Sequence, residues 1–586
     1  MPDKKLSAAR AVILKKSCPD LTEVDGILGY YEEKEGKTFF TTIGRTMTLE
    51  KVKINLEDNR VILQLSWIYQ GKKVTRDVAR SDLHRTKVQQ FAALGADVFE
   101  HTLKFYIFHI LNQEIRALHE NIHTSLGWAK YDGKCIYKCS KAIGVESRYE
   151  GGQAISPKGT FGGWVDLVRQ HALGHTPLEM GIVFGLSAVL AGYLAHDIDV
   201  GCLLIHINGN STQGKTTVCQ LAVSTAGYPD TSQDGLMNTW NGTINAITGT
   251  LRGNHGLPVV FDEASVSNSS DFSSFVYTLA GGKDKARLDK ESNLQQSGTW
   301  STTIISNGEH ALSIKTNRNI GVKMRLTEYS NVSWTKNAPH AEAIKAGIRE
   351  HHGHAAPKLA QTILEKGKSA VLAEFKRHKD TLLQSMPSDP FRDRRANTLA
   401  VLMLTAALSR EALGLDLDLE AIQGFLLEHE AAPESRDLFT DAYEHLLEQV
   451  TKHQEHFDKE WADDISPFAA TARGELWGNI IFGKVQKDKA GRSVKPMEVI
   501  LLRSQFEKLM TDGKFADHHT ILRQWKVDGR LDCEKDKLYR KRKLRTGGLQ
   551  KVYVIKYLVP AEEPSTTEKV VSKTSPFEMD LRFDGD

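Results

Sequence analysis

The segment GNSTQGKT, Gly209 to Thr216, constrains this chain more than any other stretch, because it matches G-x-x-x-x-G-K-[ST] at every fixed position. Each fixed residue has its own physical task. Gly209 and Gly214 let the backbone turn tightly, so that the N–H groups of Asn210, Ser211, Thr212 and Gln213 can face a phosphate. Lys215 brings a point charge and Thr216 a hydroxyl suited to Mg²⁺, with Thr217 continuing into the next element. The flanks agree with this reading. GCLLIHIN (201–208) is a short β-rich apolar run of the kind a buried parallel strand needs. TVCQLAVSTAG (217–227) has helical apolar spacing and stops at a glycine. Strand, glycine loop and helix in that order set a phosphate at a helix N-terminus.

Two further segments extend the pattern. LPVVFDE (257–263) is an apolar strand ending in two carboxylates. Asp262 is placed to hold Mg²⁺ beside Thr216, and Glu263 to orient a water. WSTTIISNGE (300–309) is another β-rich run, ending at Asn307. That residue reads either as a polar sensor of a γ-phosphate or as the first half of an Asn-Gly turn. Together these segments imply ATP as substrate, Mg²⁺ as its metal, and an α/β core with a parallel sheet flanked by helices.

Composition excludes more than it proposes. A chain of 586 residues with 40% hydrophobic residues is an ordinary multidomain globular length, and a net charge of +3 leaves partners to be read from local clusters. Six scattered cysteines include the close pair Cys135 and Cys139, but no second pair completes a zinc site. The N-terminus lacks the apolar core of a signal peptide. Met180 to His196 is too short to span a bilayer and leads straight into the glycine-loop strand, so a buried core helix is expected. A cytoplasmic protein without a membrane partner follows.

Five regions are expected: an α+β N-terminal domain (1–160), the P-loop core (161–335), a helical lid or linker (336–465), a winged-helix-like domain (466–560) and a disordered acidic tail (561–586). In the fourth, Phe515 to Tyr557 reads as a helix followed by a hairpin turning at Gly547 and Gly548. Arg540, Lys541, Arg542, Lys543 and Arg545 concentrate positive charge on that hairpin, which suits a phosphate-facing wing. A protein-binding winged helix remains the alternative. The tail tip FEMDLRFDGD (577–586) is either a solubilising end or a short acidic motif for a replication partner.

In order, GWVDLV (163–168), GNSTQGKT, TWNGTINAI (239–247), FDEAS, GGKDKARLDKESNL and TWSTTIISNGE resemble the phage- and plasmid-borne family known as domain of unknown function 927. The resemblance covers roughly residues 25 to 365. It implies an AAA+ ATPase of the additional-strand class, related to MCM-type helicases and working as a hexameric ring on DNA. It also implies that GGKDKARLDKE (281–291) is a hairpin projecting into the ring's pore. There Lys283, Lys285 and Arg287 alternate, so on a β-ribbon they would share one face and track a phosphate backbone. A solvated charged loop is the alternative. In NRNIGVKMRLTE (317–328) the resemblance assigns Arg325, with Arg318 in reserve, to a neighbouring subunit's γ-phosphate. Arg395 in FRDRRANTLA (391–400) is the candidate second sensor. His351, His352 and His354 have no further ligand at metal spacing and read as a helix start. The function implied is an ATP-driven DNA helicase or translocase replicating a mobile genetic element. The alternative is a regulatory or defence ATPase for which DNA is a ligand and not a track.

Overall fold

The computed structural model describes residues 18–83, 89–266, 272–286, 288, 297–316, 320–388, 391–431, 438–461, 471–487, 493–545 and 547–560. They form two compact units, one ending at residue 436 and the other beginning at 437.

In the first unit, β1 (Leu21–Val24), β2 (Ile27–Lys34) and β3 (Lys37–Arg45) make an antiparallel meander. Its turns at Asp25–Gly26 and Glu35–Gly36 take positive φ at both residues, the geometry that matches strand twist. Next come β4 (Thr48–Asn55), β5 (Val61–Tyr69), β6 (Lys72–Ala79), α1 (Leu103–Glu114), β7 (Leu118–His123), β8 (Leu126–Tyr131), β9 (Lys134–Lys138) and β10 (Arg148–Tyr149). A five-stranded sheet runs β10-β7-β4-β5-β6, and α1 packs on it through Tyr106 and Ile110 against Leu49, Leu63 and Trp67.

The region around the glycine loop follows: α2 (Phe161–His171), α3 (Thr176–Leu194), β11 (Leu203–Asn208), α4 (Lys215–Ser224), β12 (Met237–Thr239), α5 (Ile244–Leu251), β13 (Asn254–His255), β14 (Val259–Asp262), α6 (Ser273–Ala280), β15 (Thr303–Gly308), α7 (Ile320–Lys323) and β16 (Leu326–Ser330). Five strands pair entirely in parallel in the order β12-β14-β15-β11-β16. β15 therefore stands between the glycine-loop strand β11 and the acidic strand β14. All six residues of β11 and of β15 are buried, as a parallel sheet covered on both faces requires.

Helix α3 is the one described helix long and apolar enough to cross a membrane, yet 83% of its most apolar stretch is buried inside the protein. It is a core helix. Gly181 and Gly185, one turn apart, let it lie directly on α4: a Cβ at Gly185 would run into the carbonyl oxygen of Ala222, and one at Gly181 into Val218. The close packing sets the height of the loop-bearing helix.

The boundary expected at 160 falls inside one continuous core. Leu126, Trp128, Tyr137 and Ile155 belong to the same buried cluster as β11, β14 and β15. β8 pairs in parallel with β13, Trp128 Nε1 donates to Val189 O at 2.6 Å, and the Tyr137 hydroxyl to Gly256 O at 3.0 Å. Helices α8 (Ala338–Glu350), α9 (Ala355–Lys366), α10 (Lys368–Ser385), α11 (Arg392–Leu413) and α12 (Leu419–Ala431) complete the unit. His351, His352 and His354 lie between α8 and α9, bonded to Thr160 N, Ile348 O and Lys158 O, so they build the junction.

The second unit comprises α13 (Leu438–Lys452), β17 (Phe457–Trp461), β18 (Gly478–Phe482), β19 (Gln486–Lys487), β20 (Ser493–Leu502), α14 (Arg503–Asp512), α15 (His518–Val527), β21 (Leu531–Asp532), β22 (Arg540–Lys543) and β23 (Leu549–Pro560). Its sheet runs β17-β18-β20-β23-β21, with β19 paired to β20 and β22 to β23. Phe506, Ile521 and Trp525 bury the helix pair α14–α15, and the β22–β23 hairpin follows it. The unit thus begins with α13, upstream of the expected boundary at 465.

Candidate active site

The glycine loop leaves the finishing end of β11 and delivers its chain into α4. Three residues carry the positive φ this needs: Gly209 at 146°, Thr212 at 74° and Gly214 at 80°. Lys215, first residue of α4, folds back so that Nζ donates to Gly209 O at 2.8 Å and Asn210 O at 2.7 Å. Its ammonium therefore sits over the loop's opening turn. The segment after β16 braces the far side: Trp334 N donates to Gln213 O at 2.8 Å, and a Cβ at Gly214 would meet Thr335. Ser211 is turned outward, its hydroxyl 3.3 Å from Glu309 Oε1. Thr217 is buried behind the loop, and Asn208 below it keeps a buried Nδ2 with no hydrogen-bond partner among the described residues.

Four of the residues read from sequence meet at the finishing ends of β11, β14 and β15. Asp262 accepts hydrogen bonds from the Thr216 hydroxyl and the Asn307 side chain. Burial pushes its carboxyl above the usual aspartate range, and the neighbouring Glu263 charge adds to this, while those two bonds pull the other way. Asn307 Oδ1 accepts from Glu263 N at 2.7 Å. Glu263 has φ 60°, left-handed backbone that costs a non-glycine residue about 1–2 kcal/mol, and the Asn307 bond holds it there. The turn leaves the Glu263 side chain exposed to solvent. Hydroxyl and carboxylate oxygens together suit a hard cation, which would favour the ionised form of a carboxyl that burial disfavours.

A buried polar line that the sequence did not advertise keeps these strands in register. His206 on β11 bonds Ser306 Oγ at 2.9 Å and His310 O at 3.0 Å, and Trp240 Nε1 donates to the same Ser306 oxygen at 2.9 Å. On α4, Cys219 lies beneath the site. Burial first, then Asp262, push its thiol well above the ordinary range.

The opposite, starting edge of the sheet is cationic. Lys283 pairs with Thr299, and Asp284 N donates to Gly298 O at 2.9 Å, forming the stem of an antiparallel hairpin. Lys283 and Lys285 are exposed, whereas Asp284 between them is turned in, where Arg252 Nε donates to it at 2.7 Å. Arg287, and Arg318 further on, lie outside the described residues. Arg325 precedes β16. Because Leu326 pairs with Leu204 at the start of β11, Arg325 stands about five residues of strand, roughly 16 Å, from its own glycine loop. Its Nη1 donates to Gly321 O at 2.9 Å and its guanidinium lies over the Tyr277 ring. Arg325 lines a cavity of about 250 Å³ together with Asp199, Thr327 and Arg394. Arg395, the residue chosen from sequence, is instead paired with Glu430 of α12.

In the second unit the basic hairpin divides. Arg540 makes two bonds to Asp532, at 2.7 and 2.6 Å, and Arg545 reaches Asp458 at 3.1 Å. Lys541, Arg542 and Lys543 are exposed and make no ion pair with a described residue. Helix α15 presents His519 and Arg523 outward, four residues apart on one face. These two escaped notice, although helical spacing just before a basic hairpin would have marked them. The tail 561–586 lies outside the described residues.

Residues 24–299 match the profile of the domain of unknown function 927 (DUF927). Residues 437–559 match the Cch helix turn helix domain, beginning where the second unit begins. No curated protein matches the chain. Among solved structures that do match is one titled "SCCmec type IV Cch - active helicase", at 21% identity and a TM-score of 0.73, covering 92% of this chain and 98% of that one. At that identity the likeness is one of fold, and it extends over both the DUF927 and the helix-turn-helix regions.

Proposed function

We propose that the chain is an AAA+ ATPase that drives a DNA helicase or translocase for a mobile genetic element, assembled as a ring of identical subunits. The observation that carries this reading is the linkage of Thr216, Asp262, Asn307 and Glu263 at the mouth of the glycine loop. In an additional-strand ATPase the strand between the loop strand and the acidic strand ends in the polar sensor, which fits β15 with Asn307 as its penultimate residue. The fold-level likeness to a protein described as an active helicase supports the same choice.

Lys215 and the loop N–H groups would hold the β- and γ-phosphates, and Thr216 and Asp262 would hold Mg²⁺. Bound there, Mg²⁺ neutralises charge that develops on the transferring phosphoryl group. Glu263 orients the attacking water, and Asn307 keeps Glu263 in its left-handed turn while contacting the γ-phosphate. Arg325 cannot reach its own loop, so it acts on the nucleotide of a neighbouring subunit, and Arg394 approaches with it. Lys283 and Lys285 follow DNA phosphates, which give affinity without sequence choice. Lys541, Arg542 and Lys543, with Arg523 and His519 on α15, hold duplex DNA.

The test is ATP-dependent strand displacement on forked DNA, beside Glu263→Gln. Displacement by the wild type that vanishes in the variant is expected. DNA-stimulated hydrolysis without displacement would replace the motor with a regulatory ATPase that only binds DNA.

A further inference from the structure

The second unit carries a cluster of metal-ligating side chains that the proposed function does not use. Helix α13 ends at Lys452, and a short 3-10 turn (Gln454–His456) leads into β17. There one ligand atom each from His453, Glu455 and His456 lie within 4.8 Å of one another.

The neighbours of His456 settle which of its nitrogens is free. His456 Nδ1 lies 3.0 Å from Glu475 O, and a carbonyl only accepts, so Nδ1 carries the proton. In the neutral ring Nε2 then keeps its lone pair, and it faces Glu455 Oε1 at 3.5 Å. His453 Nδ1 faces the same oxygen at 3.8 Å. Electron pairs converging on a carboxylate repel unless a proton or a cation stands between them. A backbone carbonyl that orients a histidine from behind is also the usual second partner of a metal-bound imidazole.

The cluster is held in place by more than its own side chains. Trp477 stacks on His456, ring centroids 4.3 Å apart and 14° from parallel, and approaches His453 at 5.0 Å. The chain 473–477 runs alongside, Arg473 N donating to Glu455 O at 2.7 Å and Trp477 N to His456 O at 2.8 Å. Two lysines adjacent in the chain are engaged by other groups, Lys459 Nζ donating to Gln454 Oε1 at 2.8 Å and Lys452 Nζ to Glu448 Oε1 at 2.5 Å.

We infer that His453, Glu455 and His456 form a binding site for a divalent transition-metal cation, Zn²⁺ foremost. Two imidazoles and one carboxylate with an open fourth position are a familiar zinc ligand set, with bonds near 2.0–2.2 Å. A tetrahedron of that size separates its ligand atoms by about 3.4 Å, so small side-chain rotations close the present spacing. The ion would tie the end of α13 to the start of β17. Two residues after His456, Asp458 holds Arg545 at the wing turn, so the bound metal stiffens the base of the basic hairpin.

Full-length protein stripped with a chelator and returned to excess Mg²⁺, which occupies oxygen-rich sites, is titrated with Zn²⁺ by calorimetry and with Co²⁺ by visible absorption. One equivalent of Zn²⁺ and the intense bands of tetrahedral Co²⁺ are expected. His453→Ala should remove that equivalent. Glu455→Gln, a change at an exposed position that leaves the Trp477 stack intact, should weaken binding at least tenfold while the circular dichroism spectrum stays unchanged. Absence of stoichiometric binding in the wild type would overturn the assignment, and so would binding as tight as the wild type's in both variants.

Discussion

The two edges of the five-stranded parallel sheet are built on opposite plans. At the finishing edge, Lys215, Thr216, Asp262, Glu263 and Asn307 are bonded to one another or to the loop, so little must move before a phosphate arrives. At the starting edge the cations stand apart. Lys283 and Lys285 face solvent, and Arg325 and Arg394 line a cavity that contains one carboxylate, Asp199. One edge has its polar groups bonded to one another, whereas the other leaves its cations facing solvent or lining a cavity. The proposed ring ATPase would use that division, because its sheet would give a pocket to one neighbour and cations to the next.

The sharpest way to break the comparison is Arg325→Ala. Loss of a transition-state arginine is expected to lower hydrolysis by about 10³-fold or more. Mixing that variant with Lys215→Ala subunits should restore activity, because some boundaries then pair an intact loop with an intact arginine. No recovery on mixing would place Arg325 outside the chemistry. Asn307→Ala should cost about 10²-fold, since it frees Glu263 from its strained turn. It should also move the acid limb of the kcat/KM profile. The Asp262 carboxyl already sits above the ordinary aspartate range, so it gains its proton at a higher pH than an exposed aspartate as acidity increases. Removing the Asn307 bond, which pulls it down, should shift that limb further up. An unmoved limb would show that Asp262 does not titrate in the free enzyme.

Smaller effects probe the DNA-facing cations. Lys283→Ala with Lys285→Ala should reduce strand displacement at least tenfold and leave basal hydrolysis within about twofold, if phosphate contacts drive the track. Full displacement by that pair would return the hairpin to a solvated loop. Replacing Lys541, Arg542 and Lys543 together should lower the salt dependence of duplex binding by about 0.9 for each lost phosphate contact. Alanine at Arg540 or Arg545 should change it less, because Asp532 and Asp458 already hold those side chains. Equal slopes for all five positions would erase the division seen in the hairpin.

What the sequence disclosed follows from how far apart the interacting residues lie. The glycine loop, the acidic strand and the Asn307 strand are legible because each is specified within about ten residues by turn chemistry and apolar patterning. The helix before the basic hairpin is legible for the same reason. Partnerships between residues in different elements, tens of residues apart, are not. Nothing local tells that Asp458 neutralises Arg545, that Glu430 takes Arg395 and leaves Arg394 beside Arg325, or that His206, Ser306 and Trp240 share one buried line. The parallel-sheet region also borrows Trp128 and Tyr137 from a stretch whose strand pattern alone suggested a separate domain.

That borrowing decides where the chain can be cut. The short pairing of β13 with β8 stitches the N-terminal stretch to the segment just upstream of the acidic strand, and Gly127 and Gly192 both press against the His255 carbonyl group, where a Cβ on either would collide. A gene fragment begun at residue 161 would leave the seam without its other half. It should come out of expression insoluble or without near-ultraviolet circular dichroism, whereas one begun at residue 18 should melt cooperatively. In evolutionary terms the two stretches travel as one inheritable block, and a recombination point between them would be selected against.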